Sequence, residues 1–153
     1  MKFSKKSIDN IEQADNRLQL VTYGAMDELN ENPQNWKISD FGVLYSYRTV
    51  QLQFSFFKKG RELRNGIWVK VGRTVTDKDG YKKRSYHNYL PSYAIDVAPY
   101  PTDWQDIESF KELGRLFKYV ANKLDIPIEW GAEIWKGLKD YPHFQIPRKN
   151  WND

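Results

Sequence analysis

Apolar residues recur at helical spacing in two long stretches of this chain, and the segments between them are short and extended, with no regular alternation of strand and helix. In the first stretch Ile8, Ile11, Ala14, Leu18, Val21, Ala25 and Leu29 step by three and four. That spacing predicts one helix over 4–30, started by Ser4 or Ser7 and ended by Pro33 and the asparagines around it. In the second, Ile107, Phe110, Leu113, Phe117, Val120 and Leu124 share one face behind Asp103, the expected capping residue. Strands are expected over 42–47, 67–71, 93–97 and 126–130, with extended structure resuming at 144–146 after a break at Gly131. A short helix over 49–59 is expected to stop at Gly60 in the left-handed conformation, and Lys78-Asp79-Gly80 signals a turn. Without a βαβ rhythm the class is α+β.

The 153 residues suffice for a single domain with one core, with no linker to a second. An apolar content of 40% with 16% aromatics excludes a disordered chain. Ten tyrosines and six tryptophans exceed what a core needs, so some are expected to line a cleft. The lack of cysteine excludes disulfides and every thiolate-bound zinc finger. Behind Met1-Lys2-Phe3-Ser4-Lys5-Lys6 there is no apolar stretch, so no secretory signal is expected and synthesis is expected in the cytoplasm. No apolar run is long enough for membrane insertion. The net charge of +4 and a pI near 9.1 favour acidic partners, either nucleic acid or the anionic polymers of a bacterial envelope, although solubility accounts for them as well.

Only two histidines are present, and each lies in a short motif that suits a metal site. His87 follows Ser85-Tyr86 and precedes Ala94-Ile95-Asp96; His143 lies in Asp140-Tyr141-Pro142-His143-Phe144. Two imidazoles and a carboxylate suit tetrahedral Zn2+ with a fourth position for water, and Asp140, three residues before His143, is a candidate base. Taken singly, each residue has a plainer reading. His87 and His143 serve equally as hydrogen-bonded structural histidines, and Asp140 as a cap on the Tyr141-Pro142 turn. Asp96 is the hardest to explain away, because a carboxylate between apolar strand residues is costly unless paired or bound to metal.

These motifs resemble those of the peptidoglycan zinc peptidases, the D-alanyl-D-alanine carboxypeptidases and dipeptidases together with the L-alanyl-D-glutamate endopeptidases. Ser85-Tyr86-His87 with Ala94-Ile95-Asp96 is similar to the family's S-x-H-x-x-G-x-A-x-D signature. Asp140 to Phe144 resembles its second signature, Glu129-Trp130-Gly131-Ala132-Glu133-Ile134-Trp135 its W-G-G-D-W segment, and Tyr47-Arg48-Thr49 with Gln53 and Gly60 its G-x-R-[ST]…Q…G block. The likeness covers nearly the whole chain and is greatest to the L-alanyl-D-glutamate branch of phage endolysins and bacterial autolysins. It implies the hedgehog/DD-peptidase fold, a small antiparallel sheet flanked by helices. It implies zinc on His87, Asp96 and His143, Asp140 as general base, Arg48 as anchor for a substrate carboxylate or oxyanion, and Ser85 as a group orienting the substrate or a ligand. Gln53 would support Arg48. The pattern departs in two places. Leu90-Pro91-Ser92-Tyr93 replaces a glycine-containing stretch, so Asp96 falls two residues late, and Ala132-Glu133 stands for Gly-Asp.

The expected function is therefore zinc-dependent hydrolysis of the L-alanyl-D-glutamate bond in peptidoglycan stem peptides. The enzyme would be a monomer without a separate wall-binding domain, reaching the wall through a phage-made membrane hole. Hydrolysis of D-alanyl-D-alanine, or wall-peptide binding without catalysis on the same fold, are the alternatives. Nucleic-acid binding rests only on Lys82-Lys83-Arg84 and the pI, with no recognition motif behind it.

Overall fold

The structure is a computed structural model that describes residues 2–135, 137 and 139–152; Met1, Lys136, Leu138 and Asp153 lie outside the described residues. Four antiparallel strands form the main sheet in the order β1 (Phe41–Tyr45), β4 (Ala94–Pro99), β6 (His143–Gln145), β5 (Glu129–Trp130). Helices α1 (Lys5–Glu12), α2 (Asn16–Glu31) and α4 (Ile107–Lys123) supply the other layer. The expected α+β class holds. Side chains alternate across a strand, and here the alternation separates core from site. Val43, Ile95, Val97 and Phe144 join Leu18, Val21, Leu113 and Phe117 in the core, whereas Asp96, His143 and Gln145 occupy the alternate positions. Phe117 stacks on Phe144 at 4.6 Å, fixing α4 to β6.

The single N-terminal helix expected over 4–30 is two helices. Ser4 caps α1 as predicted, accepting from Ser7 N at 3.2 Å. The chain then leaves the helix so that Gln13 O accepts from Ser92 N and Asp15 N donates to Ser92 O, both at 2.8 Å. Asp15 restarts the helix by capping α2. The apolar period runs on through the break because Ile11, Ala14 and Leu18 all remain buried, which is why periodicity alone hid it.

Three further expectations need correction. The cap of α4 is Asp106, which accepts from Ser109 N at 3.1 Å, while Asp103 forms the preceding turn through Gln105 N. The strand expected over 126–130 is only Glu129–Trp130, and Gly131 opens a helical turn, α5 (Gly131–Ile134), instead of merely breaking the strand. The strand at 67–71 has a partner that was not anticipated: β2 (Arg61–Arg64) pairs with β3 (Ile67–Lys70). The charges of β2 concealed it, although Asn65-Gly66, both at positive φ, is a strong hairpin signal. Helix α3 (Val50–Lys58), capped by Thr49 and followed by Gly60 at φ 79°, forms as expected and carries this hairpin.

Candidate metal centre and active site

Antiparallel register sets Asp96 of β4 directly opposite His143 of β6. His87 comes from a 3-10 turn over Tyr86–Asn88, whose start is fixed by a capping box. Ser85 Oγ accepts from His87 N at 3.3 Å and Asn88 Oδ1 accepts from Ser85 N at 2.9 Å. Ser85 thus fixes the shape of the turn that carries His87. Two contacts lace this turn to the segment between β1 and the helix that Thr49 caps: Arg48 N donates to His87 O at 2.8 Å, and Asn88 Nδ2 donates to Arg48 O at 2.8 Å.

The result is a buried triangle. Asp96 Oδ1 lies 3.3 Å from His87 Nε2 and 3.3 Å from His143 Nδ1, and the two nitrogens are 3.3 Å apart. Donors about 2.0–2.1 Å from a tetrahedral zinc are separated by edges of about 3.3–3.4 Å, so the spacing fits that ion. The outer hydrogen bonds of the histidines fit it too. Ser46 O, a carbonyl and therefore an acceptor, receives the proton of His87 Nδ1 at 2.6 Å. Glu129 Oε1 accepts from Gln145 Nε2 at 3.0 Å, which orients the amide so that Gln145 Oε1 accepts from His143 Nε2 at 2.8 Å. With both outer protons assigned, His87 Nε2 and His143 Nδ1 present lone pairs to one another and to Asp96 Oδ1, a buried atom without a hydrogen-bond donor. Three converging lone pairs favour a cation between them, a proton shared by His143 and Asp96 or a metal ion. The longer 90–93 loop does not remove Asp96 from the group; Ser92 anchors that loop to the α1–α2 junction and donates to Ser46 O at 3.0 Å.

The electrostatics match. Burial opposes charge on Asp96, yet the adjoining histidines outweigh it and hold the carboxyl well below its usual range. Burial lowers His87. Burial also opposes charge on His143, but its contact with Asp96 prevails and raises it. Asp140 behaves differently: burial, reinforced by the charge of Asp96, pushes it up to about 6, against the pull of His143 and Arg48. Among the described residues its carboxylate has no hydrogen-bond partner, unlike a simple turn cap. Trp130 Nε1 donates to Tyr141 O at 2.8 Å and steadies this turn. A side chain at Gly131 would come within 2.4 Å of Asp140 O, so the close approach of the turn requires glycine there.

Arg48 faces inward. Its Nη2 donates to Asp96 Oδ2 at 3.2 Å and its Nη1 to Gln53 Oε1 at 2.8 Å, with the Phe56 ring 4.9 Å below the guanidinium. Gln53 supports it as expected. Burial lowers the Arg48 pKa against the opposing pull of Asp96. Sequence reasoning missed Gln145 and Glu129 as partners of the site; the only signal was period-two spacing from His143 to Gln145. Glu133 pairs with Lys118 at 2.7 Å. A groove of about 440 Å³ between α4 and the Trp130 and Tyr141 side chains contains none of the three triangle residues.

The sequence model of the phage L-alanyl-D-glutamate peptidase family matches residues 1–151. Among solved structures the chain is similar to the L-Ala D-Glu endopeptidase ChiX of Serratia marcescens, with 22% identity over 98% of this chain and 92% of that one, at a TM-score of 0.69. At that identity the structural likeness speaks to the fold, and the family match to the chemistry. The chain belongs to the phage L-alanyl-D-glutamate peptidase family and is a hydrolase of the peptide bond that the family is named for.

Proposed function

We propose that this hydrolysis is zinc-dependent and that His87, Asp96 and His143 hold the ion, cutting the stem peptides of peptidoglycan between L-alanine and D-glutamate. The 3.3 Å triangle of buried lone pairs carries the proposal. When bound, zinc supplies a Lewis acid that lowers the pKa of water from ~16 towards ~7. Asp140 takes a proton from the water that attacks the alanyl carbonyl carbon. As the C–N bond breaks, Asp140 returns that proton to the departing glutamyl nitrogen. An ordinary carboxyl is a weak base near neutrality. In the metal-free site burial and the charge of Asp96 raise Asp140 to about 6, and a bound cation pulls against that rise while keeping the carboxylate ionised to accept the proton. Arg48 fixes Asp96 through Oδ2 and lends its positive charge to the oxyanion that develops on the carbonyl oxygen. Ser85 holds the His87 turn, with its hydroxyl proton available to the substrate. One chain supplies every group named, which supports action as a monomer.

The test is mass spectrometry of purified peptidoglycan after digestion. New amino termini on D-glutamate are expected, with activity lost on chelation and restored by zinc. Release of free D-alanine instead would assign the D-alanyl-D-alanine specificity. Binding to the wall without any new terminus would make the protein a non-catalytic module.

A further inference from the structure

The positive charge of the chain is concentrated in one part of the fold. Residues 58–84 contain ten lysines and arginines against three acidic residues, a net of +7, whereas the remaining residues hold fourteen basic and seventeen acidic side chains, a net of −3. The overall +4 therefore conceals a strongly basic lobe on a mildly acidic body. This lobe consists of the end of α3, the β2–β3 hairpin and the loop that returns to Ser85.

Some of its charges are spent within the fold. Arg61 donates to Phe57 O and Thr76 O and lies over the Phe57 ring, and Arg64 pairs with Glu62. Lys70, Arg73, Lys78, Lys82 and Lys83 are exposed and make no ion pair among the described residues. Asp79 Oδ1 accepts from the backbone of Tyr81, Lys82 and Lys83 at 2.9–3.0 Å, so the turn that displays the two lysines has a fixed shape.

The lobe is also tied to the site. Gln53, 1% exposed, donates through Nε2 to Lys78 O at 2.9 Å while its Oε1 accepts from Arg48. Whatever the lobe holds is thereby kept beside the residues that surround the scissile bond. The chemistry of the substrate indicates what that is. A glutamyl residue brings two carboxyl groups, of which chain continuation uses one, so a wall polymer bearing many stems is a polyanion.

We propose that the 58–84 lobe is a docking surface for the polymeric wall substrate, its exposed lysines and arginine gripping carboxylates of stem peptides that neighbour the one in the cleft. The proposal rests on the peptidase reading and extends it from the cut bond to the surrounding polymer. Such a grip raises the local concentration of substrate and fades as salt screens it over a Debye length of about 8–10 Å.

The test is a Lys70→Ser, Arg73→Ser, Lys82→Ser, Lys83→Ser variant, assayed on intact sacculi and on a soluble stem peptide. Its KM for sacculi is expected to rise about tenfold or more, with wild-type kcat/KM on the soluble peptide. Raising salt to about 0.3 M should bring the wild-type protein down to the variant. Co-sedimentation with sacculi reads the grip even if no bond is cut, which separates failure of this proposal from failure of the function above. Amidating the carboxylates of the sacculi should abolish the difference between wild type and variant. Unchanged sacculus binding by the variant, or an equal loss on the soluble peptide, overturns the proposal. So does binding that survives amidation but disappears when phosphate polymers are stripped from the wall, or that transfers undiminished to phosphatidylglycerol vesicles.

Discussion

Arg48 and Asp96 form a buried ion pair 3.2 Å long, with side chains only 11% and 14% exposed, and it occupies the carboxylate oxygen that does not face the histidines. One carboxylate thus joins two functions: Oδ2 is fixed by the guanidinium, and Oδ1 completes the triangle. Under the proposed mechanism Arg48 would support the metal-binding carboxylate as well as supply charge to the transition state.

Replacing Arg48 therefore affects both. Lysine can still reach one partner but cannot bridge Asp96 and Gln53 together. Arg48→Lys is expected to lower kcat/KM on peptidoglycan by about 10²–10³ and to weaken zinc binding as well, by up to about 10–100-fold. Steady-state kinetics and a chelator competition on the same preparation check both. Unaltered zinc affinity would show that Asp96 needs no help from Arg48.

Gln145 is expected to matter without touching substrate. Gln145→Leu removes the acceptor that holds the proton on His143 Nε2, leaving the ring free to turn or change tautomer. Zinc affinity measured by competition with a chromogenic chelator should fall about 10–100-fold. Glu129→Gln should give a smaller loss of the same kind, because it only loosens the amide orientation. Full affinity in Gln145→Leu would mean that packing alone orients His143.

Asp140→Asn separates catalysis from stability. Turnover should fall by about 10²–10⁴ while zinc is retained. In the metal-free protein the same change should be stabilising at neutral pH. The folded protein binds the Asp140 proton more tightly than the unfolded chain, about 6 against an ordinary 3.8. Stability is therefore lost as pH rises through this window, by up to about 3 kcal/mol. Asparagine has no proton to lose, so its advantage should be full above about pH 6 and absent below about pH 4, as urea titrations across the range would show.

Zinc itself should stabilise the fold. An ion that binds only the folded state raises its stability by mass action. One zinc per chain and a higher Tm on adding it to metal-free protein are expected. His87→Ala should lose both the stoichiometric metal and the shift. Full zinc occupancy in His87→Ala would remove His87 from the ligand set.

Much of this site could be read from sequence because its residues are chemically scarce. The only two histidines and a strand aspartate leave few ways to build a metal group, and the structure brings all three together. A carboxylate between apolar strand residues marked Asp96 as needing a partner, and the structure places it on the face of the strand opposite the core. What could not be read depended on contacts between distant segments. The helix break at Gln13 to Asp15 exists because Ser92 pairs there, and no local signal in a continuous apolar period announces a partner almost eighty residues away. The inward turn of Arg48 and the chain from Glu129 to His143 likewise depend on sheet register, which neighbouring residues do not specify.

The carbonyl of Ser46 accepts from both His87 and Ser92, while the Ser46 hydroxyl donates to Asn10 O in α1. For anyone building chimaeras, this junction defines the smallest cassette that can be moved. An N-terminal helical hairpin borrowed from a relative would arrive with its own version of these serines and asparagine mismatched to the recipient. The penalty would surface as weakened metal retention, because only Ser46 separates Asn10 of the graft from His87. Crossover points that keep Asn10, Ser46, His87 and Ser92 from one parent avoid it.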